Sequence, residues 1–446
     1  MNFDRMRSLL IDRALRGELF SDSKSVTSVE KSLNEQKTPP FPIPNNWQWK
    51  CVADCVQFNP KVVSDDTVEV SFIPMADVEP GFVDQCSTKQ TKPWAKVKKG
   101  FSRFQEGDLL VAKITPCFQN RKSCIAKNLT HGIGAGSTEF HVMRCVSDVD
   151  MKFLLYFFKS EYFIRYGVNH FNGTVGQQRV GAQDIKDCLI PIPPFEEQTQ
   201  IVAKLDEAFA EIDRAEKAYQ ELQTLSGVLR GQILQEAIQG KLVPQLDSEE
   251  VVEQIGDAPE KVPFTIPDKW KWVRLSELAT EMADGPFGSN LKKEHYTPNR
   301  EVRIIQLSNI GDRGWRNENV KYTTFTHAET ISRSKVNPGD IVIAKMMPAG
   351  RAIIVPKIEK AYVLSSDAVK VVVNNKYCLT QYLYFAINSA VFKNQVYSNV
   401  QGTTRIRTSV AKLKNYLIPL PSLDEQVRIV AKIEELFKQV DALLVK

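Results

Sequence analysis

Asn, Gln, Ser, Thr, Lys and Arg gather in five short stretches of this chain, four of them with glycine. They are TPCFQNRKS (115–123), NGTVGQQRV (172–180), DGPFGSNLKKEHY (284–296), MMPAGRAIIV (346–355) and QGTTRIRTS (401–409). Such side chains neutralise phosphate and read base edges: the Arg fork fits guanine, and the Asn or Gln amide fits adenine. The chemistry on offer is contact with phosphates and base edges rather than bond making. Lys113, Arg121, Lys122, Lys292, Lys293, Lys345 and Arg351 are candidates for phosphate. Gln119, Asn120, Asn172, Thr174, Gln177, Gln178, Arg179, Ser289, Asn290, Gln401, Thr403, Arg405 and Arg407 are candidates for bases. Ordinary polar loops use the same residues, so no single stretch carries the reading.

Residue sets that would support catalysis are thin. GIGAG (132–136) lacks the acidic partner about twenty positions on that a dinucleotide-binding loop needs. No G-x-x-x-x-G-K-[ST] occurs, and no Asn-Pro-Pro-aromatic run for transfer of a methyl group to an amine. Two copies of G-D-x-x-x-A-K echo a nuclease spacing, but Asp108 and Asp340 follow glycine as turn residues do. His131, His141, His170, His295 and His327 form no H-x-x-x-H pair. The eight cysteines form no C-x-x-C and have no zinc-finger spacing, so reduced thiols are expected. We therefore expect no catalytic residue, no metal and no bound cofactor. The net charge of +5 is compatible with a polyanion but discriminates little. No run approaches 18 apolar residues and the amino terminus has no secretory pattern, so no membrane and a cytoplasmic location are expected.

The elements that must hold these loops are written twice. LIPIPPFEEQTQIVAKLDEAF (189–209) returns as LIPLPSLDEQVRIVAKIEELF (417–437), 228 positions on. FPIPNNWQW (41–49) returns as FTIPDKWKW (264–272), and GDLLVAK (107–113) returns as GDIVIAK (339–345). LIDRALRGEL (10–19) resembles ILQEAIQGKL (233–242). The order is kept and the offset drifts, as loop insertions would cause. The chain ends where the first copy reaches Ala218 and begins near where that copy reaches residue 224, so the repeat is effectively circular.

Apolar residues at Ile201, Leu205, Ala208, Ile212, Ala215, Tyr219 and Leu222 step by 4 and 3, a heptad seam. A helix over 196–243 follows, with helices over 1–24 and 424–446 that pair with each other. The fold class expected is mixed α+β: two β-rich globular domains, 41–190 and 264–418, separated by two long antiparallel helical spacer segments, with a pseudo-two-fold repeat. Strands are expected in VEVSFIPM, GDLLVAKI, EFHVMRCV, VRIIQLSNI, GDIVIAKM and AVKVVVN. FLLYFFKSEYFIRY (153–166) and LTQYLYFAINSAVF (379–392) read as core helices. The scaffold repeats while the polar loops diverge, as two copies aimed at different sequences would.

The P-[IL]-P…EQ…IVAK blocks, LRGEL and IQGKL (15–19, 238–242), and the I-P-x-x-W-x-W openings together resemble the specificity subunit of a type I restriction–modification system, over essentially the whole chain. The resemblance implies two target-recognition domains, each reading one half of a bipartite DNA site, and helical regions that set the spacing. It implies two methyltransferase (modification) subunits and two restriction subunits as partners in phage defence. S-adenosylmethionine, ATP and Mg would be held by those partners and none by this chain. Rival readings are a self-contained DNA methyltransferase or nuclease, and a protein-interaction scaffold.

Overall fold

The computed structural model describes residues 2–19, 38–88, 90–146, 148–174, 176–346, 348–398 and 407–445. Gln401, Thr403 and Arg405 lie outside them. The chain divides into two compact units, Met1–Ala218 and Tyr219–Lys446.

In the first unit a five-stranded sheet has the order Val56–Phe58, Phe140–Cys145, Leu109–Ala112, Ser123–Ala126, Gln85–Cys86. A four-stranded sheet has the order Thr91–Pro93, Glu69–Ile73, Ile133–Gly136, Ser102–Gln105. The second unit repeats this with a four-stranded sheet (Ala279–Asp284, Ala368–Val373, Ile341–Ala344, Ala352–Ile354) and a five-stranded one. A parallel pair sits at the same place in each unit, Ser71 opposite Gly134 and Arg303 opposite Tyr362, and the first unit has a second, Gln85 opposite Ile125; the other described pairs are antiparallel. All six expected strand runs form strands.

The duplicated motifs are pieces that lock onto one another. The Trp and Pro motifs pair as a two-stranded ladder, Trp49 opposite Pro191 and Trp272 opposite Pro419. Gly17 and Gly240 stand at φ 75° and 70°, where a Cβ would lie 2.3 Å and 2.4 Å from the rings of Pro44 and Pro267. Only glycine combines that backbone angle with so close an approach. Gln198 and Gln426 are fully buried. Gln198 accepts from the Asp150 amide at 2.8 Å and donates to the Pro193 carbonyl at 3.0 Å. Gln426 accepts from the Leu379 amide at 2.7 Å and donates to the Pro421 carbonyl at 3.0 Å. Each Gln thus ties the start of a long helix to the start of an aromatic helix.

The helix Phe195–Ile238 is continuous over 44 residues, about 66 Å at 1.5 Å per residue. Inside the first unit the helix Phe3–Leu15 is tied to its first half by Arg7, and Ile11, Ala14 and Leu15 share one buried cluster with Ile201, Leu205 and Phe209. Inside the second unit Leu423–Val445 packs on its second half through Ile429, Ile433 and Val440. An ion pair is copied with them: Arg7 with Asp213 at 2.6 Å, and Arg230 with Asp441 at 2.8 Å.

Three expectations change. The heptad seam is buried at Ile201, Leu205 and Ile212 but open at Ala215, because the packing face turns through Phe209, which the strict heptad skips. Each aromatic stretch is two helices rather than one, Met151–Lys159 with Glu161–Asn169 and Thr380–Asn388 with Ala390–Ser398. The break falls at Ser160 and Ser389, whose hydroxyls each donate back to a helix carbonyl at 2.7 Å. The thiols are not all free: Cys86 and Cys124 on neighbouring strands form a disulfide.

Candidate nucleic-acid interface

In the first unit a cleft of about 580 Å³ opens between Asn59–Pro60, Lys113 and Arg179–Gly181. Lys113 leaves the end of a buried strand whose next residue bridges to Arg179. Its amide donates to the Glu139 carbonyl at 2.9 Å and its carbonyl accepts from Val180 at 3.0 Å. Arg179 meets both Glu139 oxygens at 2.9 Å and the Gln177 carbonyl at 2.9 Å. Of five guanidinium N–H groups, these described contacts use three, leaving one on each terminal nitrogen in the half-exposed head group. The Arg179 hydrogen bond in turn holds the Glu139 carboxyl below its ordinary range. His141 forms part of the wall; burial pushes its pKa down to about 4 against a hydrogen bond to the Val180 carbonyl, so it is neutral at pH 7.

The second unit rebuilds the same place with other side chains. A cleft of about 380 Å³ is lined by Gly285–Pro286, Lys345 and Arg407, the last two at the positions equivalent to Lys113 and Arg179. Met346 bridges to Arg407 as Ile114 bridges to Arg179. The Lys345 amide donates to the Asp367 carbonyl at 2.8 Å and its carbonyl accepts from Thr408 at 2.9 Å, matching Lys113 bond for bond. The ammonium group of Lys345 differs: it is nearly buried and bound to Asp284 at 2.7 Å. Arg407 is exposed.

The remaining candidates divide by what already holds them. Arg121 is paired with Glu161 at 2.7 Å and caps the Lys159 carbonyl at 2.9 Å, and Lys122 donates to the Met75 carbonyl at 3.1 Å. Arg351 is paired with Asp312 at 2.5 Å. These three shape their loops. Gln119, Asn120, Asn172, Thr174, Gln177, Ser289, Asn290, Lys292 and Lys293 are exposed, and Gln178 is half-buried. Arg103, His141, Arg333 and Phe287 line the two clefts and were absent from the candidate set. Nothing in local composition marks the first three; Phe287 stood inside a quoted stretch and was passed over because it is apolar. Asp108 and Asp340 cap turns, accepting from the Gln105 and Asn337 amides at 2.7 Å and 2.8 Å. Among the described residues no cluster of three metal-ligating side chains occurs, and no helix is long and apolar enough to cross a membrane.

The family model described as the type I restriction modification DNA specificity domain matches the chain twice, over residues 44–224 and 267–444, following the internal repeat. The chain belongs to that family. Among curated specificity subunits, those of the Escherichia coli type I restriction enzymes EcoAI and EcoEI are 28% and 25% identical, each match covering 98% of this chain and 90% of the relative. A chain from a solved type I restriction–modification assembly superposes with a TM-score of 0.68 at 19% identity, covering 91% of this chain and 93% of that one. The HsdS subunit from Thermoanaerobacter tengcongensis gives 0.52 at 18% identity, covering 91% and 92%. A mixed α+β fold with two recognition domains is thus the architecture of this specificity family member, and the enzyme and scaffold alternatives are not favoured.

Proposed function

We propose that this specificity subunit reads a bipartite double-stranded DNA site, one half per unit, with the two equivalent clefts facing the DNA. The observation that carries the reading is the repeated clamp: one backbone pattern around Lys113 and Lys345 presents Arg179 and Arg407, while the surrounding loops differ. A conserved frame with divergent readers suits two unlike half-sites. Phosphate contacts come from the exposed lysines, Lys292 and Lys293 among them. Base contacts come from Arg179, Arg407 and the exposed amides at Gln119, Asn120, Gln177 and Asn290. The chain performs no chemistry itself. It docks two modification subunits, which hold S-adenosylmethionine, and works with two restriction subunits, which hold ATP and Mg.

The test is the methylated motif of cells carrying the assembly. Arg179→Ala is expected to relax one half of the motif and Arg407→Ala the other. Relaxation of the same half by both variants, or of neither, overturns the assignment.

A further inference from the structure

Phe287 is 84% exposed, the most exposed large apolar side chain among the described residues. It is one of the residues lining the second unit's cleft, together with Asp284, Arg333, Lys345 and Arg407. An apolar ring so exposed among polar and charged side chains gains nothing from water. The loop that carries it is held in place. Before it, the Gly285 amide donates to the Ala368 carbonyl at 3.0 Å. A Cβ at Gly285 would lie 1.8 Å from the Ser365 carbonyl oxygen, so this close approach needs glycine. Pro286 fixes the next φ. After it, the Asn290 amide donates to the Phe287 carbonyl at 2.8 Å, and the Asn290 carbonyl meets His327 Nε2 at 3.0 Å. The ring is therefore presented at low cost in backbone entropy, as an anchor must be. The strand register places Val63 of the first unit, also exposed but with a much smaller side chain and no π-face, at the position of Phe287.

We infer that Phe287 stacks on a base in the half-site read by the second unit. The inference rests on the DNA-reading proposal above. An aromatic ring can stack on an exposed base or wedge into an opened base step, and both are apolar contacts with a π-face.

The experiment uses the full chain assembled with its modification subunits and a duplex carrying the mapped methylated motif, titrated across a salt series. Phe287→Ala is expected to lose between about five-fold and about a hundred-fold in affinity. The slope of log affinity against log salt should stay as in the wild type, because no ionic contact is lost. Phe287→Trp should restore binding and Phe287→Leu should not. Lys292→Ala, at a residue assigned to phosphate above, should instead flatten the slope by about 0.9, the value for one phosphate contact. Equal affinity of Phe287→Ala and wild type, or full recovery by Phe287→Leu, overturns the stacking inference and leaves the DNA-reading proposal standing. A wild-type assembly with no affinity for the duplex overturns both.

Discussion

Arg179 and Arg407 occupy one place in two copies yet keep different company, and residue-scale behaviour should follow that company. Glu139 holds Arg179 through two 2.9 Å contacts. Glu139→Gln keeps the volume and removes the charge. It is expected to weaken binding to the cognate duplex several-fold through loss of Arg179 orientation, and to leave the other half of the methylated motif untouched. His141 yields a pH prediction. Its folded pKa of about 4 lies below the ordinary 6.5, so the unfolded chain takes up the proton first as pH falls. The stability contributed is complete above pH 6.5 and is lost as the pH falls toward 4, by up to about 3 kcal/mol. Urea unfolding of the wild type and of His141→Gln at pH 7 and pH 4.5 should show a smaller acid loss in the variant; identical losses would refute the assignment.

At the scale of elements, the repeated motifs are joints, and breaking a joint should unfold its own unit first. Gln426→Leu strands the Leu379 amide and the Tyr377 and Pro421 carbonyls, all served by one side chain. Each buried group left unmade costs about 1–3 kcal/mol, so a loss of at least about 3 kcal/mol is expected. Gly240→Ala combines a φ of 70° with a 2.4 Å approach to Pro267 and should cost about 2 kcal/mol or more, lowering the melting temperature by several degrees. Calorimetry that resolves two transitions should show both substitutions moving one transition. An unmoved calorimetric profile for Gly240→Ala would mean the loop relaxes freely.

At the scale of the whole molecule, one 44-residue helix begins in the first unit and ends in the second. If the chain measures the distance between half-sites, four residues inserted within 219–223 lengthen that helix by about 6 Å. The methylated motif should then gain one or two base pairs in its gap, at about 3.4 Å per pair. An unchanged gap in the methylome would end the ruler reading. Much of this architecture was legible in the sequence, because duplication writes the same interlocking residues twice and helix and strand periods are local properties. Pro-Trp ladder, Gly–Pro contact and Gln clamp all involve residues that the repeat alone picked out. The sequence also determined the division into two recognition domains, since residues that bind one another must be repeated together. What tertiary structure alone decided is which loop residues are available to a ligand. Arg121 and Arg351 belong to the same side-chain class as Arg179, and all three have a carboxylate partner far away in sequence, but packing leaves the first two only 19% and 18% exposed against 42% for Arg179. Composition records a charge; only the folded chain determines what neutralises it, because that partner is brought up by long-range packing and not by neighbours along the chain.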